Sequence, residues 1–330
     1  MANASDLRPP TSDLHLRPLF LAGPTAVGKS EIALLLAEKI GGEIISVDSM
    51  QVYRGLDIGT AKPSAEERAR VPHHLIDVME ITEPFDAAQF VRLANPAVKE
   101  IQSRGRTPIF CGGTGLYFKA LLEGLGEAPP TDEALRAQLE AIPLPELLAE
   151  LAEKDTVTYE KIDRQNPRRV VRAIEVIRLT GKPFSAQRAR WGDPGTPTKK
   201  SGLDGVSPHL IGFARDVTDL RARIDVRVDV MFARGLVEET RRLVERGLAQ
   251  NKTAMQALGY RQVMEYLRGE HSLPETIELV KIKTRQFAKR QMTWFRRHGN
   301  CEWIELQRGE FPESVLSRCS WNTLNGRKIA

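Results

Sequence analysis

Residues 19–38 read LFLAGPTAVGKSEIALLLAE. The apolar run 19–22 has the length of a buried strand and stops at Gly23. From Ser30 onward, Ile32, Leu35, Leu36 and Ile40 recur at helical spacing, and Gly41-Gly42 closes the run. Between strand and helix lie Gly23, Pro24, Thr25, Ala26, Val27, Gly28, Lys29 and Ser30, which fit G-x-x-x-x-G-K-[ST] throughout. The glycines let the backbone curl so that several N–H groups face one anion, and the helix adds the positive end of its dipole. Lys29 supplies a mobile charge, and the Ser30 hydroxyl is placed to hold Mg²⁺. The next apolar run, 43–47, reads as a second strand ending at Asp48, so the unit is strand-loop-helix-strand and the sheet is parallel.

Working outward, 107–111 is another short strand running into Gly112-Gly113-Thr114-Gly115 and then a helix, LYFKALLEGL. The Pro-rich GEAPPTDE marks a boundary near residue 126. Residues 132–180 read as charged helices, 192–208 as a Gly/Pro/Lys-rich loop, 209–214 as a returning strand, 218–297 as long helices, and 301–306 as a last strand. The expected organisation is an α/β core of 19–125 and 209–310, a helical insertion at 126–208, a polar tail at 1–18 and a C-terminal tail at 311–330.

Composition fits a globular protein: 330 residues, 41% hydrophobic and 28% charged. No stretch reaches the roughly 18 apolar residues of a membrane span, and the first residues lack the apolar segment of a signal peptide. Cys111, Cys301 and Cys319 are too far apart for a zinc or disulfide framework, which favours a reducing cytoplasm. Only six histidines occur, none at zinc spacing, and adjacent His73-His74 point different ways on any regular element, so both read as structural. A monomer is the default expectation.

The net charge of +5 is unevenly spread. Residues 164–190 hold eight Arg or Lys against one acid, Glu175, and residues 281–298 hold seven against none. Solvated helix faces alone produce such runs. Two of them in a chain with a phosphate loop point to a polyanionic partner. Arg168 and Arg172 are spaced i, i+4 and share a helix face, and Arg285, Lys289 and Arg296 fall near one face beside Trp294 and Phe295. Core packing would equally explain the two aromatics.

GPTAVGKS, ISVDSMQVYRGLDIGTAKP, VPHHLIDV, GGTGLYFKALLEGL, NPRRVVRAIEV, TGKP, ALGYRQ and KRQMTWFRR follow in that order. The series resembles the bacterial-type tRNA dimethylallyltransferases, also called tRNA isopentenyltransferases, from about residue 19 to 303. The resemblance implies a P-loop kinase-like core with a helical insertion that grips the anticodon stem. It implies transfer of a dimethylallyl group from dimethylallyl diphosphate to the exocyclic amine of the adenosine 3′ of the anticodon, with diphosphate leaving. The phosphate loop would then hold the leaving group, assisted by Mg²⁺, and not ATP. Asp48 would be the base, Thr114 would hold the reacting groups in line, and Thr25 would line the diphosphate and prenyl pocket. Arg223 would meet the diphosphate, with Arg227 the alternative. The family's tRNA contacts map onto Asp48, Ser49, Met50 and Gln51; Arg168, Arg169 and Arg172; Gln256, Gly259, Tyr260 and Arg261; and Lys289, Arg290, Gln291, Trp294 and Arg296. Asp155-Thr156 departs from the Asp-Pro often found there, 192–208 does not align, and Cys301 and Cys319 lack the partners for the C-terminal zinc finger of some eukaryotic relatives. The rival readings are a P-loop nucleotide kinase or NTPase, a prenyltransferase of free adenine nucleotides, and a non-catalytic RNA-binding protein.

Overall fold

The computed structural model describes residues 16–187, 210–299 and 301–319. Residues 1–15 of the expected tail, the loop at 192–208 and the end of the chain from 320 lie outside the described residues.

Six strands form one parallel sheet in the order β3-β2-β4-β1-β5-β6. They are β1 (Leu19–Ala22), β2 (Gly42–Val47), β3 (His73–His74), β4 (Thr107–Gly112), β5 (Leu210–Arg215) and β6 (Glu302–Leu306). The central strands are buried on both faces, as a parallel sheet covered by helices requires. The helices are α1 (Lys29–Ile40), α2 (Ala65–Arg70), α3 (Ala87–Ser103), α4 (Gly115–Glu123), α5 (Glu133–Glu140), α6 (Leu144–Lys154), α7 (Thr156–Lys161), α8 (Pro167–Thr180), α9 (Phe184–Gln187), α10 (Val217–Ala233), α11 (Leu236–Glu245), α12 (Tyr260–Leu267), α13 (Leu273–His298) and α14 (Pro312–Arg318). The protein is therefore α/β with a parallel sheet, as the opening motif requires.

Register positions the site. Ala22 pairs with Gly112, and Gly112 pairs with Val47. The residues that follow, Gly23, Gly113 and Asp48, thus leave the sheet together at the carboxyl ends of three adjacent strands, where open α/β sheets bind ligands. Gly112 is required by this closeness, because a Cβ there would stand 2.1 Å from the Val47 carbonyl oxygen.

The chain divides into two compact units, Met1–Lys119 with Leu203–Ala330, and Ala120–Gly202. The first is built on the sheet, with Leu21, Ile32, Leu36, Ile109 and Phe213 in its core. Residues 311–319, the described part of the expected C-terminal tail, are not simply a tail. Helix α14 places Val315 and Leu316, and Cys319 beyond it, in that same core, because its short apolar face packs on α1. The second unit has a separate helical core that includes Leu139, Leu147, Leu151, Val170 and Ile174. There Asp155 caps α7, accepting from the backbone N–H of Thr158 at 3.0 Å and that of Ser185 at 2.7 Å. His74 sits on the edge strand and bonds buried Glu43 at 2.6 Å, which gives it a structural partner.

Candidate active site

The loop after β1 is held open by its carbonyls. Arg223 Nε donates to the Ala26 carbonyl at 2.9 Å, Arg215 Nε to the Val27 carbonyl at 2.7 Å, and Lys29 Nζ to the Pro24 carbonyl at 3.2 Å. Peptide planarity turns the Gly28 N–H opposite to the anchored Val27 carbonyl, away from Arg215. Ala26 at φ 63 and Gly28 at φ 109 take left-handed conformations, the alternation that makes an anion nest. Gly23 is needed for close approach, since a Cβ would lie 2.9 Å from the Phe213 carbonyl oxygen. Arg215 is itself fixed by Asp219 at 2.9 Å and by the Gln307 carbonyl at 2.9 Å. Its anchoring role escapes sequence reasoning, although its place at the carboxyl end of β5 is a signal that could have found it.

A cavity of about 490 Å³ opens on this loop, lined by Gly28, Lys29, Ser30, Arg223, Arg227 and Arg308 among others. Four cations line it against two carboxylates, Glu31 and Asp219, and this cationic excess suits an anionic ligand. Both Arg223 and its alternative Arg227 therefore line the same space, and Arg308, from the turn after β6, joins them. Burial pushes the Lys29 ammonium below its ordinary 10.5; Arg227 adds to that shift, while Cys111 and Asp48 oppose it. Burial likewise lowers Arg227, against the carboxylate of Asp48. Asp48 thus shares an electrostatic neighbourhood with both cations, on the loop side of the sheet.

Asp48 is set by its own turn. Its Oδ1 accepts from the Met50 N–H at 2.8 Å and the Gln51 N–H at 3.3 Å, leaving Oδ2 for other partners. The Ser49 N–H donates to Thr114 Oγ1 at 3.2 Å, and the Thr114 N–H to the Val47 carbonyl at 3.2 Å. Ser30 is exposed at the cavity. Among the described residues no cluster of three or more His, Cys, Asp or Glu is placed to hold a metal. One hydroxyl beside an anion nest suits Mg²⁺, which usually takes its other ligands from phosphates and water.

The model of the IPP transferase family matches residues 51–298. The tRNA dimethylallyltransferase 1 of Trichlorobacter lovleyi is 46% identical over 294 residues, covering 87% of this chain and 93% of that protein. The chain belongs to the IPP transferase family. A tRNA dimethylallyltransferase from Geobacter metallireducens is 46% identical over 307 residues, covering 91% of this chain and 96% of its own. Among solved structures, the full-length tRNA isopentenylpyrophosphate transferase of Bacillus halodurans matches with a TM-score of 0.64 at 39% identity, covering 91% and 93% of the two chains. A eukaryotic dimethylallyltransferase acting on tRNA matches with a TM-score of 0.76 at 26% identity, covering 95% of this chain and 81% of that one.

Within this IPP transferase the segments expected to touch RNA divide into two groups. Arg168, Arg169, Gln256, Arg261, Lys289, Arg290 and Arg296 are exposed. Lys289, Thr293, Arg296 and Arg297 make one exposed face of α13, at i, i+4, i+7 and i+8. The second group is engaged inside its own unit. Arg172 Nη1 bonds Glu175 at 2.7 Å and Nη2 bonds the Pro129 carbonyl. Glu175 is fully buried and also receives Arg136 at 2.6 Å and the Asp132 N–H at 3.0 Å. Arg172 therefore turns from the face it would share with Arg168, because a buried carboxylate needs cationic partners. Tyr260 is fully buried, donating to Glu239 at 2.6 Å and accepting from the Gly59 N–H at 3.0 Å. Gly259 is buried and starts α12. Gln51 accepts from Ser46 and donates to the Thr60 carbonyl, bracing the turn after Asp48. Gln291 is buried between two loops. Trp294 is half-buried, meets Phe295 edge-to-face and His298 at a tilt, and covers Gly115. Phe295 is buried against Phe118.

Proposed function

We propose that the protein transfers a dimethylallyl group from dimethylallyl diphosphate to the exocyclic amine of the adenosine 3′ of the anticodon in tRNA, releasing diphosphate. The observation that carries this reading is the meeting of a carboxylate and an anion nest at one end of the sheet. Asp48 follows β2 and the loop of Lys29 follows β1, and both strands flank β4, whose following turn carries Thr114.

An adenine exocyclic amine is a weak nucleophile, because its lone pair is delocalised into the ring. As the carbon–nitrogen bond forms, the carbon–oxygen bond of the prenyl diphosphate breaks, and its electron pair leaves on the diphosphate. Lys29, Arg223, Arg227 and the loop N–H groups hold that growing negative charge in a preorganised site. Asp48 accepts the proton that the amine gives up. Thr114 fixes the residue next to Asp48 and keeps a hydroxyl proton to donate toward the reacting groups. Mg²⁺, when bound at Ser30, supplies further charge neutralisation of the leaving diphosphate.

The target base stands inside a loop and must be extruded to reach Asp48. Exposed Arg and Lys on α8 and on α13 supply backbone contacts to an anticodon stem-loop. A kinase or NTPase of this sheet type would make its loop a nucleotide site. Incubation with dimethylallyl diphosphate and tRNA, against ATP alone, separates the readings. Dimethylallyladenosine in digested tRNA with stoichiometric diphosphate supports prenyl transfer; ATP turnover without it contradicts the proposal.

A further inference from the structure

Gln291 lies on α13, eighteen residues into the helix, and only 8% of it is exposed. Its Oε1 accepts the Thr25 N–H at 2.8 Å, and its Nε2 donates to the Gly113 carbonyl at 2.9 Å. Both partners dictate the amide's orientation, since an N–H only donates and a carbonyl only accepts. Thr25 belongs to the anion loop, and Gly113 precedes Thr114 in the turn that holds Ser49 beside Asp48. One side chain thus joins the two halves of the site.

The surroundings are built for this side chain. A Cβ on Gly113 would stand 2.2 Å from Gln291 Nε2, and a Cβ on Gly115 would stand 2.1 Å from the Trp294 ring. The two glycines let α13 approach the turn. The opposite face of the same helix carries exposed Lys289, Arg296 and Arg297.

We infer that Gln291 is a positioning residue: it fixes the spacing between the anion loop and the Asp48–Thr114 pair, and it does not read RNA. The inference rests on the prenyl-transfer reading above. A displacement of about 1 Å between reacting groups can cost on the order of 10²-fold in rate. Only a side chain of this length with one donor and one acceptor satisfies both partners. A neutral Glu carboxyl has that pair, and a Glu carboxylate has acceptors only.

Gln291→Glu and Gln291→Met are therefore compared with the native chain, full length, with dimethylallyl diphosphate and an anticodon stem-loop RNA. Met keeps the volume and loses both hydrogen bonds. Titratable groups on the elements meeting here include Lys29 on the loop, Asp48 and Cys111 at the strand ends, Lys119 on α4, and Lys289, Arg290 and His298 on α13. All are common to the three proteins, so the variant-to-native ratio of kcat removes most of their own titration. Burial raises the introduced carboxyl above its ordinary 4.3 or so. The expected result is a kcat ratio for Gln291→Glu that rises at least about tenfold as pH falls through that pKa, from a loss on the order of 10²-fold. Gln291→Met keeps a low ratio with no such rise, and RNA affinity stays native in both. A flat ratio for Gln291→Glu with native kcat in Gln291→Met overturns the inference, as does an RNA affinity loss equal to the loss in kcat/KM. If Gln291→Glu does not fold, Gln291→Met alone decides: a kcat within threefold of native overturns the inference. Failure of the native chain to prenylate would sink the functional reading instead, and this inference with it.

Discussion

Thr114 Oγ1 accepts the backbone N–H of Ser49 at 3.2 Å, so the turn after β4 holds the residue next to the candidate base at the end of β2. The hydroxyl uses a lone pair for this and keeps its proton to donate. Thr114→Ser preserves both functions and is expected to retain kcat within a few fold. Thr114→Val keeps the shape, loses both, and should lower kcat by roughly 10–10²-fold. Steady-state rates of the two variants check this; equal rates would remove Thr114 from the site.

Arg172 and Arg169 should separate cleanly. Arg172→Ala takes a partner from buried Glu175 and should cost about 2 kcal/mol of stability in the helical unit. Arg169→Glu, at an exposed position, should leave thermal melting unchanged while weakening tRNA binding and lowering the salt slope by roughly 1. Melting curves and salt-dependent binding isotherms read both. The opposite pattern would restore Arg172 to the RNA face.

Tyr260→Phe should behave as a structural lesion. Loss of the hydroxyl leaves the Gly59 N–H without its acceptor and removes a donor to Glu239, at a cost of about 1–3 kcal/mol. The salt slope of tRNA binding should not move. A changed slope at unchanged stability would place Tyr260 against RNA.

Burial holds the Lys29 pKa below 10.5, so its ammonium loses a proton at lower pH than a free lysine does. The positive charge is present below that pKa and lost as pH rises through it. KM for dimethylallyl diphosphate should therefore rise on the alkaline side before pH 10.5. Lys29→Arg, permanently charged, should lower kcat through altered geometry yet abolish that rise. Initial rates across alkaline pH test this, and a rise that survives in Lys29→Arg would assign it to another group.

The phosphate loop and the parallel sheet were legible because both are local: one spacing motif between a strand and a helix determines them. Lys289 and Arg296, two members of the basic face expected on α13, were legible for the same reason, whereas the third, Arg285, is tied to Asp225. Gln291 was not, because its two partners lie 266 and 178 residues away in the chain. Beside Lys289, Arg290 and Trp294 it looked like part of an RNA-reading run. Arg172 misled because charge and helical spacing describe a surface without showing that Glu175 beneath it is buried. Helix α14 looked like a tail because seven residues carry too little periodicity to reveal an apolar face. Arg308 sits on an unremarkable turn, and only the closing of β6 against β5 brings it to the cavity.

The most direct test is the single-turnover rate of Asp48→Asn with dimethylallyl diphosphate and tRNA, measured beside the tRNA dissociation constant. Asn keeps the size and an acceptor for the Met50 N–H but cannot take up a proton at neutral pH. A loss of at least about 10²-fold in rate with native tRNA affinity is predicted. A native rate, or a loss confined to tRNA affinity, would contradict the placement of a proton-accepting carboxylate beside a departing diphosphate.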